Sequence, residues 1–110
     1  MKAIYKLEEL QSLLASGTMT VVYFSNESCN VCKVLKPRIR EMLESRYQNA
    51  ELVYIDTEKS PVIAGQYRVF TIPTIDVYIE GKEHARFSRN LTLFDFEKAI
   101  SKPYDILFGE

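Results

Sequence analysis

Two cysteines, Cys29 and Cys32, stand three positions apart in the stretch SNESCNVCKVLKP (25–37), and the chain has no others. Such a pair can serve as a redox dithiol, as half of a metal site, or as a structural pairing. Structural zinc takes four protein ligands, usually two such pairs or one pair with two histidines. Here the only histidine is His84, far along the chain in an expected hairpin. A zinc site within one chain is therefore not expected, and the chemistry calls for no metal and no bound cofactor. A site shared between two chains has no further support.

The elements around the pair favour the dithiol. MTVVYFS (19–25) is a short apolar run rich in β-branched and aromatic residues, and it reads as a buried strand. From Cys29 onward, Cys32, Leu35, Ile39, Met42, Leu43 and Tyr47 trace an apolar stripe at helical spacing. A helix of several turns is thus expected to start at the cysteines, with a kink where Pro37 interrupts it. Positions i and i+3 of a helix bring β-carbons within about 5–6 Å, so a disulfide needs only modest adjustment. Cys29 lies where strand becomes helix, beside unpaired backbone N–H groups and the positive end of the helix dipole, and both favour thiolate over thiol. Cys32 lies one turn inside, where it is expected to be more buried. The arrangement assigns roles: Cys29 attacks a disulfide and Cys32 resolves the mixed disulfide.

The remaining pattern places this unit in a larger fold. Ile4, Leu7, Leu10, Leu13 and Leu14 recur at helical spacing before Gly17. ELVYID (51–56) reads as a second buried strand, and Ser60-Pro61 as N-cap and first residue of a short helix to about Tyr67. TIDVYI (74–79), the turn EGKE and ARFS form a hairpin. Thr92 with Asp95 makes a capping box for a last helix through Ile100. The expected fold is α/β, a central mixed sheet with helices on both faces.

The chain's 110 residues suit one domain, and with 46% hydrophobic residues it can build a core. Its 14 basic and 15 acidic residues balance, which argues against nucleic acid as a partner. MKAIYKLEELQ has charges scattered through it and neither a secretory h-region nor a membrane span. A cytoplasmic protein is the expectation, and in that compartment a C-x-x-C is catalytic or metal-binding more often than a lasting staple.

With these residues in view, VVYFSNESCNVCKVLKP resembles the active-site segment of the thioredoxin family. Lys33 follows the second cysteine, Pro37 stands where the family kinks its long helix, and YRVFTIPT (67–74) is similar to the segment ending in the family's cis-proline. YID (54–56) and the EGKE turn also match, so the resemblance runs in order over about residues 4–102. It implies a thioredoxin fold over 1–110, with the tail 103–110 beyond the family core, and a thiol–disulfide oxidoreductase. It also implies disulfide-containing protein substrates, a flavin-dependent reductase as electron donor, and a monomer. On its own Pro73 reads as an ordinary trans proline at a strand start. The resemblance instead implies a cis bond that turns the Ile72 backbone toward a substrate peptide.

Departures from the family pattern cluster at the site. Ser28 replaces the tryptophan before the first cysteine, and Asn30-Val31 replaces Gly-Pro; both remove apolar surface or stiffness beside Cys29. Tyr23 stands where the family buries an aspartate beneath the dithiol, Leu52 where its lysine partner stands, and Arg89 where it has glycine. A tyrosine is a poor base at neutral pH, so slower attack by Cys32 is expected. Asp76, inside an apolar strand, is read as facing away from Ile75 and Val77 and either solvated or bonded to a neighbouring element; the alternative is a displaced acid–base group. Lys33, Lys36, Arg38 and Arg40 read as a solvated helix face, with Lys33 slightly favouring the thiolate. The tail's Tyr104, Ile106, Leu107 and Phe108 are expected to pack back on the fold, with a dimer contact as alternative. A binding or adaptor module, or a redox sensor with weak turnover, is the alternative reading of the whole chain.

Overall fold

The chain builds one five-stranded sheet, and the computed structural model describes residues 2–109. In sequence order the elements are β1 (Lys2–Ala3), α1 (Leu7–Ser16), β2 (Met19–Ser25), α2 (Asn30–Arg46), β3 (Glu51–Asp56), α3 (Pro61–Gln66), β4 (Thr74–Ile79), β5 (Lys82–Phe87) and α4 (Leu93–Phe108). The spatial order of strands is β1-β3-β2-β4-β5. β1, β3 and β2 pair in parallel, whereas β4 and β5 add antiparallel on the other side of β2. Every residue of β2 is buried, as its continuous apolar run dictates for a strand covered on both faces.

Alternation along the strands divides the interior in two. Met19, Val21 and Tyr23 of β2, Leu52 of β3, and Ile75 and Val77 of β4 face α2 and α4, which contribute Cys32, Ile39, Met42, Leu43, Phe96 and Ile100. Val22, Phe24, Val53, Ile55 and Tyr78 face the opposite way, toward Leu10 and Leu14 of α1 and Ile63 and Ala64 of α3. The dithiol therefore belongs to the α2/α4 face. The hairpin turn between β4 and β5 puts Glu80 and Gly81 at φ 51° and 83°, the left-handed conformations that a two-residue turn of this hand requires.

Several boundaries differ from expectation. β1 is too short to show a period in sequence, and Ile4 lies after it, outside α1. Ser60 occupies the position before Pro61, but its hydroxyl donates to the Tyr5 carbonyl instead of accepting from the helix. The Thr92 hydroxyl does accept from the Asp95 amide, as the capping pattern predicts. The helix it starts does not stop at Ile100; it continues through Pro103 to Phe108. Proline cannot donate to the carbonyl four residues back, which here is Ala99. His84 Nε2 lies 3.1 Å from that carbonyl, and since the carbonyl only accepts, the imidazole donates. His84 is exposed in the hairpin, yet it supplies the bond that Pro103 removes. Tyr104, Leu107 and Phe108 then pack against the α2/α4 core, with Tyr104 edge-on to Tyr47, while Ile106 points to solvent.

Asp76 is fully buried on the α1/α3 side, opposite the dithiol, in register with Val22. The Arg86 guanidinium grips both carboxylate oxygens, with Nε 2.7 Å from Oδ1 and Nη2 2.9 Å from Oδ2. The same guanidinium donates to the carbonyls of Tyr67 and Arg68, fixing the turn after α3 to the sheet. Asp76 is therefore a held structural acid, bonded to a neighbouring strand and not solvated, and the alternative of a displaced acid–base group for the dithiol is not supported. Burial raises its carboxyl above the usual range, and the bonds and charge of Arg86 act against that rise.

An acid whose folded-state value lies above its unfolded value makes folding less favourable as pH rises through that interval. Removing the guanidinium raises the folded-state value further. Arg86→Met is therefore expected to cost on the order of 3 kcal/mol at neutral pH, because it strands a buried charge. The loss should shrink on acidification as Asp76 takes up a proton. Urea unfolding at pH 7 and pH 5 checks this; a loss independent of pH would mean that packing, not charge, is what Arg86 contributes.

Candidate active site

β2 ends at Ser25 and the chain turns through Asn26–Ser28, where the Asn26 side chain accepts from the Ser28 amide at 3.0 Å. Cys29 keeps an extended backbone, φ −90° and ψ 103°, and serves as the N-cap of α2. Its sulfur accepts from the Cys32 amide at 3.2 Å, the bond an N-cap serine or aspartate oxygen would make to the third helical residue. The two cysteines are joined as a disulfide with their Cα atoms 5.3 Å apart. Cys29 is half-buried, whereas Cys32 is 1% exposed. An incoming thiol or disulfide can reach only the first sulfur, and that sulfur already sits on a helix amide.

Pro37 lies inside α2, and its missing N–H leaves the Lys33 carbonyl, in the preceding turn, without the usual helical donor. In that turn the Tyr23 hydroxyl donates to the Cys32 carbonyl at 2.8 Å. Burial first, then the neighbouring Tyr54, pushes the Tyr23 hydroxyl far above its ordinary value, so it stays protonated. Tyr54, directly opposite Tyr23 in the β2–β3 register, stacks on it with ring centroids 6.3 Å apart. Lys36 places its ammonium 3.9 Å from the Tyr54 ring centroid, and Ser25 donates to the Tyr54 hydroxyl. The space beneath the dithiol is thus filled by a pair of aromatic rings. Asp56 and Asp76, the buried carboxylates of the described residues, are engaged elsewhere: Asp56 accepts from the Glu58 and Lys59 amides.

The Ile72–Pro73 bond is cis. Pro73 is buried at the start of β4 and Ile72 packs against the same cluster as Cys29. Beside them an open groove of about 570 Å³ runs between α2 and the loop leading to α4. Val31, Val34, Leu35, Pro73, Leu91 and Leu93 line it, with Arg38 and Arg89 at its rim. A larger cavity of about 740 Å³ lies away from the dithiol, between Lys2, the end of α2 and the start of β3. Its walls mix acidic, basic and amide side chains, with no cysteine among them.

Of the residues singled out in the sequence, Cys29, Cys32, Tyr23, Ile72, Pro73 and Val31 converge. Ser28, Asn30 and Lys33 are exposed around the rim, and Pro37 acts from within the helix. Leu52 is buried two positions along β3 from Tyr54, so Tyr54, not Leu52, is the residue that meets Tyr23. Sequence reasoning missed Tyr54 and Lys36. Strand alternation puts Tyr54 on the Leu52 face, but the β2–β3 register that sets it against Tyr23 is not written in either strand.

The family model described as Thioredoxin matches residues 3–102. Thioredoxin-like protein YdfQ of Bacillus subtilis is 26% identical over 110 residues, covering 100% of this chain and 97% of that protein. Thioredoxin of Chlamydia trachomatis is 33% identical over 86 residues, covering 78% of this chain and 82% of its own length. Among solved structures, oxidised mitochondrial thioredoxin 3 of Saccharomyces cerevisiae superposes with a TM-score of 0.84 at 22% identity, covering 93% of this chain and 94% of that one. The fold is the thioredoxin fold, and the chain belongs to the thioredoxin family of thiol–disulfide oxidoreductases.

Proposed function

We propose that the chain, a single thioredoxin-type unit over 1–110, is a protein disulfide reductase in which Cys29 attacks and Cys32 resolves. The observation that carries this is the asymmetry of the pair: a reachable Cys29 sulfur seated on the Cys32 amide, and a buried Cys32 behind it. In the reduced protein the Cys29 thiolate attacks one sulfur of a substrate disulfide. A Cys29–substrate bond forms, the substrate S–S bond breaks, and the departing sulfur takes a proton. Cys32 then attacks the Cys29 sulfur and releases the second substrate thiol. Two electrons and two protons pass to the substrate, and the protein is left as the Cys29–Cys32 disulfide seen here. A dithiol or a flavin-dependent reductase must then restore it.

In this reading the Ile72 main chain, just before Pro73, pairs with an extended substrate segment. Ser28, Asn30 and Val31 frame the approach to Cys29, and Lys33 adds positive charge near the start of α2. No helix among the described residues is long and apolar enough to cross a membrane. We place the protein in the cytoplasm as a monomer acting on disulfide-containing proteins.

Cys29→Ser should abolish reduction of an insulin-type substrate without loss of fold, because serine also caps a helix. Cys32→Ser should accumulate a mixed disulfide visible by mass spectrometry. Wild-type turnover no faster than the reductant alone would sink the reductase reading and leave the adaptor or sensor, which the missing acid beneath Cys32 favours.

The Tyr23 hydroxyl is a donor to a carbonyl and remains protonated, so it cannot serve as the base for Cys32. Tyr23→Phe should therefore cost about 1 kcal/mol of stability for the lost hydrogen bond. Resolution of the mixed disulfide should change by less than about threefold, whereas a proton-relay role would slow it by about a hundredfold. Stopped-flow decay of the mixed disulfide decides between the two.

A further inference from the structure

The groove beside the dithiol carries a charge pattern of its own. Val31, Val34, Leu35 and Arg38 follow one face of α2 at spacings of three and four, and Val31 and Val34 are 55% and 61% exposed. Leu91 and Leu93 face them across the trench, and Arg89 stands at its mouth on the loop after β5. The rim thus holds two guanidinium groups and no carboxylate. Arg38 and Arg89 are both exposed, and neither is in an ion pair among the described residues, whereas Arg40, Arg46 and Arg86 all are. Glu41, the carboxylate nearest in sequence to Arg38, lies one turn on; both residues line the adjoining pocket, but no ion pair joins them among the described residues, and Glu41 is not among the residues of the groove.

An apolar trench flanked by free guanidinium groups fits an apolar side chain flanked by carboxylates. Arginine's planar fork binds carboxylate in two-point geometry, and a field of one sign at a cleft raises the local concentration of the opposite charge. Ser28 cannot offer the apolar surface that tryptophan supplies in the family, so more of the recognition falls to this side of the dithiol. We infer that the groove selects acidic substrates: extended segments with an apolar residue near the disulfide cysteine and glutamate or aspartate beside it, read by Arg38 and Arg89. The inference rests on the reductase activity proposed above, and its test separates the two.

Two cyclic peptides, each with one internal disulfide and a leucine beside the first cysteine, differ only in carrying paired glutamates or paired lysines. Their rates with dithiothreitol alone come first, because flanking charge changes the intrinsic reactivity of a disulfide. Each protein's peptide rates are then divided by its own rate on the neutral bis(2-hydroxyethyl) disulfide, which cancels any change at the dithiol. After both corrections the wild-type protein should prefer the glutamate peptide about fivefold at low salt, with the preference fading as salt rises. Arg38→Glu with Arg89→Glu should reverse it. Equal corrected ratios in the two proteins overturn the inference while the reductase reading stands. Failure of the wild-type protein to reduce the neutral disulfide faster than dithiothreitol overturns the reductase reading instead. Selectivity is then read by binding to the Cys29→Ser, Cys32→Ser protein, with amide shifts at Val31 and Leu91: tighter binding of the glutamate peptide supports the groove's role, and equal binding removes it.

Discussion

The contact on which the site depends is the Cys32 amide donating to the Cys29 sulfur. A helix begins with N–H groups that have no carbonyl to bond, and something must accept from them. Here the acceptor is a sulfur, so satisfying the start of α2 and presenting the thiol are one arrangement. It works only if Cys29 keeps an extended backbone while Asn30 is already helical, which places the residue at the seam between the loop after β2 and the helix. β2 fixes that seam in space because it is buried along its whole length and bonded on both sides, to β3 and β4. The same strand sets Tyr23 beneath the disulfide and, through β4, brings cis Pro73 to the groove beside it.

Much of this is legible in the sequence because each part has a local cause. A continuous apolar run declares β2, the apolar residues around Asp76 and the turn EGKE declare β4, and the apolar stripe declares α2, which runs from Asn30 to Arg46 with Pro37 inside it. Thr92 and Asp95 declare the start of α4 in the same way. The end of α4 is hidden because Pro103 ordinarily stops a helix, and what rescues the orphaned Ala99 carbonyl is a side chain from β5, His84. Ser60 misleads for a related reason: its hydroxyl has a nonlocal partner in the Tyr5 carbonyl. The misses share a feature, a polar group whose partner is distant in sequence, and no local pattern encodes such a pairing.

Asp76 shows what alternation can and cannot say. Period two puts it on the face opposite Ile75 and Val77, and the structure bears that out. Alternation does not name Arg86 as the partner, although the pairing of Asp76 with Arg86 across the β4–β5 ladder is the most direct contact two strands can make. The register shift between Val77 and Tyr78 lies next to this pair, and it is the kind of irregularity that a strand's own sequence does not announce.

Against the family pattern, charge in this chain has moved outward. Beneath the dithiol, where the pattern has a carboxylate and an ammonium, two tyrosine rings stack and a single hydroxyl grips a carbonyl. Burying an ion pair is costly, and apolar groups of similar volume often stabilise at least as well, so the exchange is favourable to folding. It is unfavourable to proton transfer, since a hydroxyl held far above its ordinary value by burial neither gives up nor accepts a proton at neutral pH. Lys36 remains close, but it lies over the Tyr54 ring, on the helix side of the pair. The other cations sit on the rim: Lys33 near the start of the helix, Arg38 one turn along the groove, Arg89 across it. A charge beneath the sulfurs acts on every substrate alike through the thiol. A charge at the rim acts only on what approaches, and so it discriminates between substrates while leaving the sulfurs' own chemistry to the helix amide.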